Sequence, residues 1–113
     1  MINRVILQGR LSGDPELKQT LTGDFVCTIF LVTHRNFSKK NEEAKVDVVK
    51  CEAWGDTAVF ISRYLKKGTM VDIEGGIRCK KWTDEQDKTR VDQFVYIDSI
   101  RYSATNQRKQ EES

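Results

Sequence analysis

This chain is poor in the residues that build catalytic, metal and disulfide sites. Among its 113 residues are one histidine, His34, and only three cysteines: Cys27, Cys51 and Cys79. The cysteines are odd in number and lack CxxC spacing, so we predict neither a disulfide framework nor a zinc site. Each is in phase with apolar neighbours in a strand-like segment, which predicts three reduced thiols in a protein core. Such thiols fit a reducing compartment, and we expect a cytoplasmic protein.

The chain also lacks a long apolar run and a strong charge of one sign. No stretch approaches the roughly 20 apolar residues of a membrane-spanning helix, and the first residues do not resemble a signal peptide. Lys and Arg number 19 against 17 Asp and Glu, a net charge of +2. A basic site must therefore come from the arrangement of cations. The length predicts one domain at residues 1–103, and the polar residues 104–113 predict a disordered tail.

Motifs of the common enzyme classes are missing as well. The sequence contains no HExxH, no P-loop and no GxSxG, and its single histidine leaves no His-based catalytic pair. We therefore predict a non-enzymatic protein with no catalytic residue, no metal site and no cofactor. A metal-dependent nuclease, with carboxylates that converge at strand ends, stays open as an alternative.

What the sequence does contain is five strand-like segments and one helix. The segments at residues 3–11, 25–33, 46–54, 69–84 and 90–102 show strand composition or alternation, and residues 16–20 predict a short extended piece. The helix is predicted over residues 55–67, with an apolar stripe of Ala58, Ile61 and Leu65. Asp56 or Thr57 would cap its start, and Gly68 would follow its end.

The order of these elements predicts an all-β fold. Five strands with one helix between the third and fourth are typical of the oligonucleotide-binding (OB) barrel. A small barrel needs sharp corners, which Gly9 and the pair Gly75-Gly76 would permit. A generic antiparallel sheet with one helix is the alternative.

The segment at residues 69–84 suggests a binding surface. A strand has a side-chain period of two, so Ile77 and Cys79 are predicted to face the core, and Arg78, Lys80 and Trp82 to point outward. By the same alternation, Lys50 and Trp54 share the outward side of the preceding strand. Cations and large aromatics in register can hold phosphates and stack bases.

Three segments resemble the bacterial-type single-stranded DNA-binding protein family: NRVILQGRLSGDPEL, KCEAWGDTA and YLKKGTMVDIEGGIRCKKWTDE. The resemblance spans about residues 3–102. It implies a cytoplasmic, nucleoid-associated homotetramer that binds single-stranded DNA largely without sequence preference and protects it during replication, recombination or repair. It also implies base-stacking aromatics at Phe37, Trp54 and Trp82. Val48 stands where many members carry an aromatic, so contact there would be apolar packing.

The predicted DNA-binding set combines these aromatics with cations on the same faces or near the adjoining loops. Its members are Phe37, Trp54, Trp82, Val48, Lys50, Arg78, Lys80, Lys81, Arg35 and Arg4. An alternative from another class is an OB-fold protein-interaction module of the replication machinery with weak nucleic-acid affinity, whose aromatics anchor a partner. The chain ends RKQEES and lacks the acidic-hydrophobic tip of many family members, so recruitment of other proteins through such a tip is not expected.

Overall fold

The computed structural model describes residues 1–35 and 45–102. Within these ranges it has the elements β1 (Val5–Leu11), β2 (Glu16–Gln19), β3 (Phe25–His34), β4 (Val46–Trp54), α1 (Gly55–Tyr64), β5 (Met70–Thr83) and β6 (Thr89–Tyr102). The strands form one sheet in the order β1-β5-β6-β4-β3-β2, and an additional pairing of β1 with β3 closes it into a ring. Phe37 and the predicted tail at residues 104–113 lie outside the described residues.

The closed sheet confirms the predicted all-β barrel, with one additional strand. Residues 16–19 pair antiparallel with residues 25–28 of β3, so the predicted extended piece is the strand β2. It lies at the edge of the sheet, and its side chains are exposed. The other five strands form the ring, and α1 falls between the third and fourth of these, as expected for the OB barrel.

The core lies between the inner sides of the barrel strands and the helix. Antiparallel partners share one side of a sheet, which brings Ile29 beside Cys51 and Cys27 beside Ala53. The predicted helical stripe closes the core, because Ala58, Ile61 and Leu65 are all buried. The remaining core residues are Leu11, Leu31, Val71, Ile73, Val95 and Ile97. Apolar burial of this kind is the main favourable contribution to folding.

The helix begins at Gly55, as predicted, but differs from the prediction in its N-cap and in its C-terminal end. It ends at Tyr64, and its N-cap is Trp54, with no side-chain capping hydrogen bond, so the predicted cap by Asp56 or Thr57 is wrong. Gly68 does not follow the helix directly but has a φ of 89° in the turn after it. Its N–H donates to the carbonyl oxygen of Leu11 (2.8 Å), which joins this turn to β1. Within the described ranges, no helix is long and apolar enough to cross a membrane.

Two glycines allow strands to approach more closely than any side chain permits. A Cβ at Gly9 would lie 2.6 Å from the carbonyl oxygen of Val32, and one at Gly75 only 1.8 Å from that of Tyr96. The register between β5 and β6 shifts between Glu74 and Gly75, an irregularity of the kind that a β-bulge produces. These contacts agree with the predicted corner role of Gly9 and Gly75.

Beyond Gly76, β5 and β6 continue as a two-stranded arm (residues 77–93) whose turn is held by Asp84. One carboxylate oxygen of Asp84 accepts hydrogen bonds from the N–H groups of Gln86 and Lys88 (2.9 Å each), and the other accepts one from Nε of Arg90 (2.8 Å). These bonds, chiefly the one from Lys88, lower the pKa of Asp84.

Both sides of the arm face solvent, which overturns one prediction. Ile77 is 50% exposed, and Cys79 is exposed as well. The prediction that they point into the core is therefore wrong, as is the prediction of three core thiols; Cys27 and Cys51 are buried. The alternation of the strand continues correctly past Gly76, but the barrel does not extend far enough to cover its inward side.

Candidate nucleic-acid interface

Four adjacent strands present one continuous surface away from the core. Residue pairing places four partners side by side on β3 and β4: Val26 with Trp54, Thr28 with Glu52, Phe30 with Lys50, and Val32 with Val48. Glu52 in turn pairs with Tyr96 of β6. The β6 residues continue onto β5 through Phe94 with Arg78, Asp92 with Lys80, and Arg90 with Trp82. We call this surface, from Val26–Val32 of β3 to Arg78–Trp82 of β5, the outer face.

Large aromatic side chains are spaced across the outer face. Trp82 is 50% exposed on β5, Trp54 is half-buried on β4, and Phe30 is 44% exposed on β3. The sequence placed both tryptophans on this side but did not include Phe30. The sequence did contain one indication of its exposure: both sides of its strand are apolar, and the barrel interior can cover only one of them. Exposed aromatic groups of this size usually mark a contact site.

The predicted cations Lys50, Arg78 and Lys80 lie among these aromatics. Phe94 lies on β6, between Lys50 on β4 and Lys80 on β5. Its ring centroid is 6.0 Å from the ammonium nitrogen of Lys50 and 5.3 Å from that of Lys80. The guanidinium carbon of Arg78 lies 3.6 Å from the ring centroid of Tyr96. Arg78 is thus stacked on an aromatic ring and presents a flat cationic surface.

Two of the three cations are also paired with carboxylates. Nζ of Lys50 lies 2.7 Å from a carboxylate oxygen of Asp92, and both side chains are about one-third exposed. Nζ of Lys80 lies 3.5 Å from Oε1 of Glu52. The outer face is therefore less positive than its lysines alone suggest, and an incoming anion has to replace these carboxylates.

Glu52 is a buried carboxylate that the sequence reasoning did not single out. The residue is 4% exposed, and its Oε1 accepts a hydrogen bond from Nε1 of Trp54 (3.0 Å). It lines a cavity of about 530 Å³ together with Trp54, Arg78 and Tyr96. The pattern Glu-x-Trp places both side chains on one side of β4, which was the only indication of this contact.

The other predicted site residues are placed less centrally. Val48 is exposed on the outer face beside Val32 and lines a smaller cavity of about 260 Å³ between β4 and β6. Lys81 points to the other side of the arm, where it pairs with Val91. Arg4 precedes β1, on the far side of β5 from β6, and forms an ion pair with Glu74 (3.0 Å).

Arg35 lies just beyond β3, at the end of the β3–β4 hairpin where His34 pairs with Val46. Its Nε and guanidinium nitrogen donate to the two carboxylate oxygens of Asp47 (3.2 Å each). These hydrogen bonds hold the pKa of Asp47 below its usual value. In the described residues, therefore, Arg35 is engaged in a bidentate pair rather than presented freely.

A closed barrel of this topology, with aromatics and cations on one open sheet face, defines an OB-fold binding domain. The chain belongs to the single-strand binding protein family, whose model matches residues 2–103. This membership confirms the resemblance noted in the sequence and agrees with a non-enzymatic protein. Across the described residues, no group of three or more His, Cys, Asp or Glu could hold a metal ion.

Several named relatives are similar over most of this chain. It is 33% identical to the single-stranded DNA-binding protein 2 of Listeria monocytogenes over 102 residues, which are 90% of this chain and 64% of the relative. It is 34% identical to the single-stranded DNA-binding protein of Enterococcus faecalis over 88% of this chain and 50% of the relative. It is 31% identical to single-stranded DNA-binding protein A of Bacillus subtilis over 90% of this chain and 59% of the relative. The chain thus spans between half and two thirds of the length of these relatives.

Proposed function

We propose that this protein binds single-stranded DNA along the outer face, largely without sequence preference. The observation that carries the proposal is the alternation of exposed aromatics and cations over four neighbouring strands. Trp54, Trp82 and Phe30 offer flat apolar surfaces, and Lys50, Arg78 and Lys80 lie between them. Single strands expose both base faces and a phosphate backbone, which these two kinds of side chain recognise independently of sequence.

Base stacking would contribute to the sequence-independent affinity. Stacking on an aromatic side chain is worth about 1–3 kcal/mol per base. Trp82 lies on the arm, Trp54 at the end of β4, and Phe30 on β3, so a strand that crosses the outer face meets all three. Val48 would add apolar packing, and Phe37 is proposed as a further stacking residue.

Phosphates would bind by exchange with the carboxylates that now hold the lysines. A phosphate that approaches Lys50 competes with Asp92, and one that approaches Lys80 competes with Glu52. Each phosphate neutralised on a single strand adds about 0.7 to the slope of log affinity against log salt concentration. Arg78, stacked on Tyr96 and without a carboxylate partner in the described part of the chain, would bind phosphate without such competition. Arg4, Arg35 and Lys81 are proposed as outlying contacts.

We also propose a homotetramer that protects single-stranded DNA in the cytoplasm, at the nucleoid, during replication, recombination or repair. In support of assembly, Ile6 of β1 is exposed and leaves hydrophobic surface, outside the outer face, that a neighbouring subunit can cover. The buried thiols of Cys27 and Cys51 suit a reducing compartment. Light scattering at micromolar concentration tests the assembly, and a monomeric mass would refute it.

A titration of intrinsic tryptophan fluorescence with a thymidine oligomer tests the binding proposal. Stacking on Trp54 and Trp82 predicts strong quenching, and gel shifts at two salt concentrations should show tight binding to single strands, weak binding to duplex and a clear salt slope. The alternative, a protein-interaction module with weak nucleic-acid affinity, predicts little quenching. Equal affinity for duplex DNA, or an affinity independent of salt, would contradict the proposed mechanism.

A further inference from the structure

The side chain of Asn3, just before β1, is bound to the strand at the root of the arm. Its Nδ2 donates a hydrogen bond to the carbonyl oxygen of Ile77, and its Oδ1 accepts one from the N–H of Ile77, both at 2.8 Å. The register of β1 with β5, in which Val5 pairs with Gly75, places Asn3 opposite Ile77 when it is continued. The side-chain amide therefore makes the two hydrogen bonds that a backbone partner would make in an antiparallel pair.

Gly76 leaves room for Asn3 at this edge of the strand. A Cβ at Gly76 would lie 3.1 Å from the backbone carbonyl oxygen of Asn3 and 3.2 Å from its Oδ1, which is tighter than most Cβ contacts in proteins. The two glycines at the junction thus face different neighbours, because Gly75 approaches the backbone of Tyr96 on β6 and Gly76 approaches Asn3. A side chain at Gly76 would push the amide away from the strand.

The contact of Asn3 falls where the arm leaves the barrel. Ile77 pairs with Val95 of β6, and Val95 is also the residue at which the pairing of β6 with β4 ends, beside Cys51. On the other edge, the backbone pairing of β5 with β1 has already ended at Val5. The pair of Ile77 and Val95 is therefore held from both edges, by the backbone of Cys51 on one and by the amide of Asn3 on the other.

Two ion pairs also join the arm to β4, but both lie on the outer face. Asp92 of the arm is paired with Lys50 of β4. Lys80 of the arm is paired with Glu52 of β4. In the proposed function, phosphates replace these carboxylates, so DNA binding opens both ion pairs. Asn3 holds backbone groups at the opposite edge of the arm, and binding on the outer face leaves its two hydrogen bonds in place.

We propose that Asn3 is a positioning residue for DNA binding, whose amide fixes the root of the arm and so keeps Trp82 in place to stack a base. This inference rests on the proposed binding of single-stranded DNA and concerns how the arm is oriented within it. Trp82 lies beyond Ile77 on a two-stranded ribbon, and such a ribbon has little stability of its own. An arm that is fixed at its root loses less conformational entropy when it binds, which favours affinity.

A double-mutant cycle of Asn3 and Trp82 tests this role through the affinity for a thymidine oligomer. Asn3→Ala should weaken binding about threefold or more, because one hydrogen bond shifts an equilibrium about two- to tenfold. In a Trp82→Ala background the same change should alter the affinity less than about twofold, because the ring that Asn3 positions is absent. No loss in Asn3→Ala, or losses that add as they would if Asn3 contacted DNA directly, would overturn the inference and leave the proposed function standing. Failure of the wild-type protein to bind the oligomer would overturn both.

Gln19→Ala is the matched control. Nε2 of Gln19 also donates to a backbone carbonyl oxygen, that of Gly23 at 3.2 Å, but it does so in the turn between β2 and β3. This variant should bind the oligomer as tightly as the wild type, and denaturant titration checks that both variants are folded in the binding assay. An equal loss of affinity in Gln19→Ala and Asn3→Ala would contradict a specific role of Asn3.

A spin label on Cys79 measures the freedom of the arm directly, in the absence of DNA. Cys79 is exposed on the arm, whereas Cys27 and Cys51 are buried, so a thiol-reactive label should attach selectively. The electron paramagnetic resonance line shape should show faster motion in Asn3→Ala than in the wild type, and no change in Gln19→Ala. Equal mobility of the label in Asn3→Ala and the wild type would show that the amide does not hold the arm, which overturns the inference.

Discussion

The two halves of β5 have the same alternating pattern but different surroundings. From Met70 to Gly75, every second residue is buried, with Val71 and Ile73 in the core. From Ile77 to Thr83 both sides of the strand are exposed. The first half is a wall of the barrel, whereas the second half is a strand of the arm. A clean alternation therefore indicates a strand and its two sides, but it does not show that either side is covered.

The difference arises from the neighbours of the strand. The first half pairs with β1 on one edge and β6 on the other, and the pairing with β1 ends at Val5 and Gly75. Past this point, among the described residues, β6 is the one strand that still pairs with β5. The lysines at positions 80 and 81 lie in this second half, where charges discourage pairing with another chain. The same exposure leaves Arg78, Lys80 and Trp82 accessible to a ligand.

Breaking the junction between the halves should have the largest effect. Gly75→Ala would place a Cβ about 1.8 Å from the backbone carbonyl oxygen of Tyr96, and the backbone itself would have to move. We expect a loss of about 4 kcal/mol or more in the free energy of unfolding, measured by denaturant titration. Gly13→Ala is the control, because its Cβ would contact nothing within 4 Å. Similar stability of the two variants would contradict the close contact at Gly75.

Truncating one isoleucine in each half tests the comparison directly. Ile73 is fully buried, so Ile73→Ala should lower the free energy of unfolding by about 2–5 kcal/mol. Ile77 is half exposed, so Ile77→Ala should cost less than about 1 kcal/mol. Denaturant titration of the two variants measures both losses and so distinguishes the barrel half of β5 from the arm half. A comparable loss for Ile77→Ala would mean that the inward side of the arm is covered.

Removing the aromatic of the arm should weaken binding without affecting folding. Trp82→Ala is expected to reduce the affinity for single-stranded oligomers of any sequence by about 1–3 kcal/mol. The control is Val91→Ala, an exposed apolar residue on the opposite side of the arm, which should leave the affinity unchanged. Fluorescence anisotropy with labelled oligomers measures both. An effect of Trp82→Ala restricted to certain sequences would argue against stacking.

The reactivity of the three thiols should show the same difference between barrel and arm, and this is the smallest of the expected effects. Burial raises the pKa of Cys27 to about 11 and that of Cys51 to about 12, whereas Cys79 is exposed on the arm. In the native protein at pH 8, a thiol reagent should modify Cys79 rapidly and the other two only on unfolding. Rapid modification of all three would contradict the burial of the barrel thiols.

The raised pKa values of the barrel thiols also imply a pH dependence of stability. From pH 9 upward the unfolded chain loses thiol protons that the folded chain retains, so stability should fall as the pH rises toward 11. Denaturant titrations across this range, with a Cys27→Ala variant as the control, measure the contribution of that thiol. If the free energy of unfolding falls with pH as steeply in the variant as in the wild type, the Cys27 thiol does not contribute to this pH dependence.

Much of the fold was predictable because alternation and turn residues are local properties. The strand and helix segments and the outward placement of Lys50, Trp54, Arg78, Lys80 and Trp82 follow from the side-chain period of each segment, and the barrel was predicted from the order of these segments. The strand β2 was predicted only as an extended piece, because nothing in its own residues shows that it pairs with β3. The helix cap was mispredicted, because residues with capping propensity need not lie at the position where the chain enters the helix.

The composition of the outer face was less accessible from the sequence. Phe30 lies beside Lys50, although 20 positions separate them in the chain, and Glu52 contacts Lys80 across 28 positions. Such neighbours depend on strand register, which no single segment specifies. The pairing of Lys50 with Asp92 and the burial of Glu52 follow from the same register and from the direct pairing of β4 with β6.

The local pattern was thus sufficient to show that Arg78, Lys80 and Trp82 share one side of a strand, because the backbone geometry of a strand is the same wherever it lies. Whether the opposite side was covered depended on where β1 stops pairing with β5, which placed Ile77 and Cys79 in solvent. Which carboxylates hold Lys50 and Lys80 depended on β4 and β6 meeting side by side. Burial and charge pairing are properties of neighbours brought together by folding, and a sequence read segment by segment does not contain them.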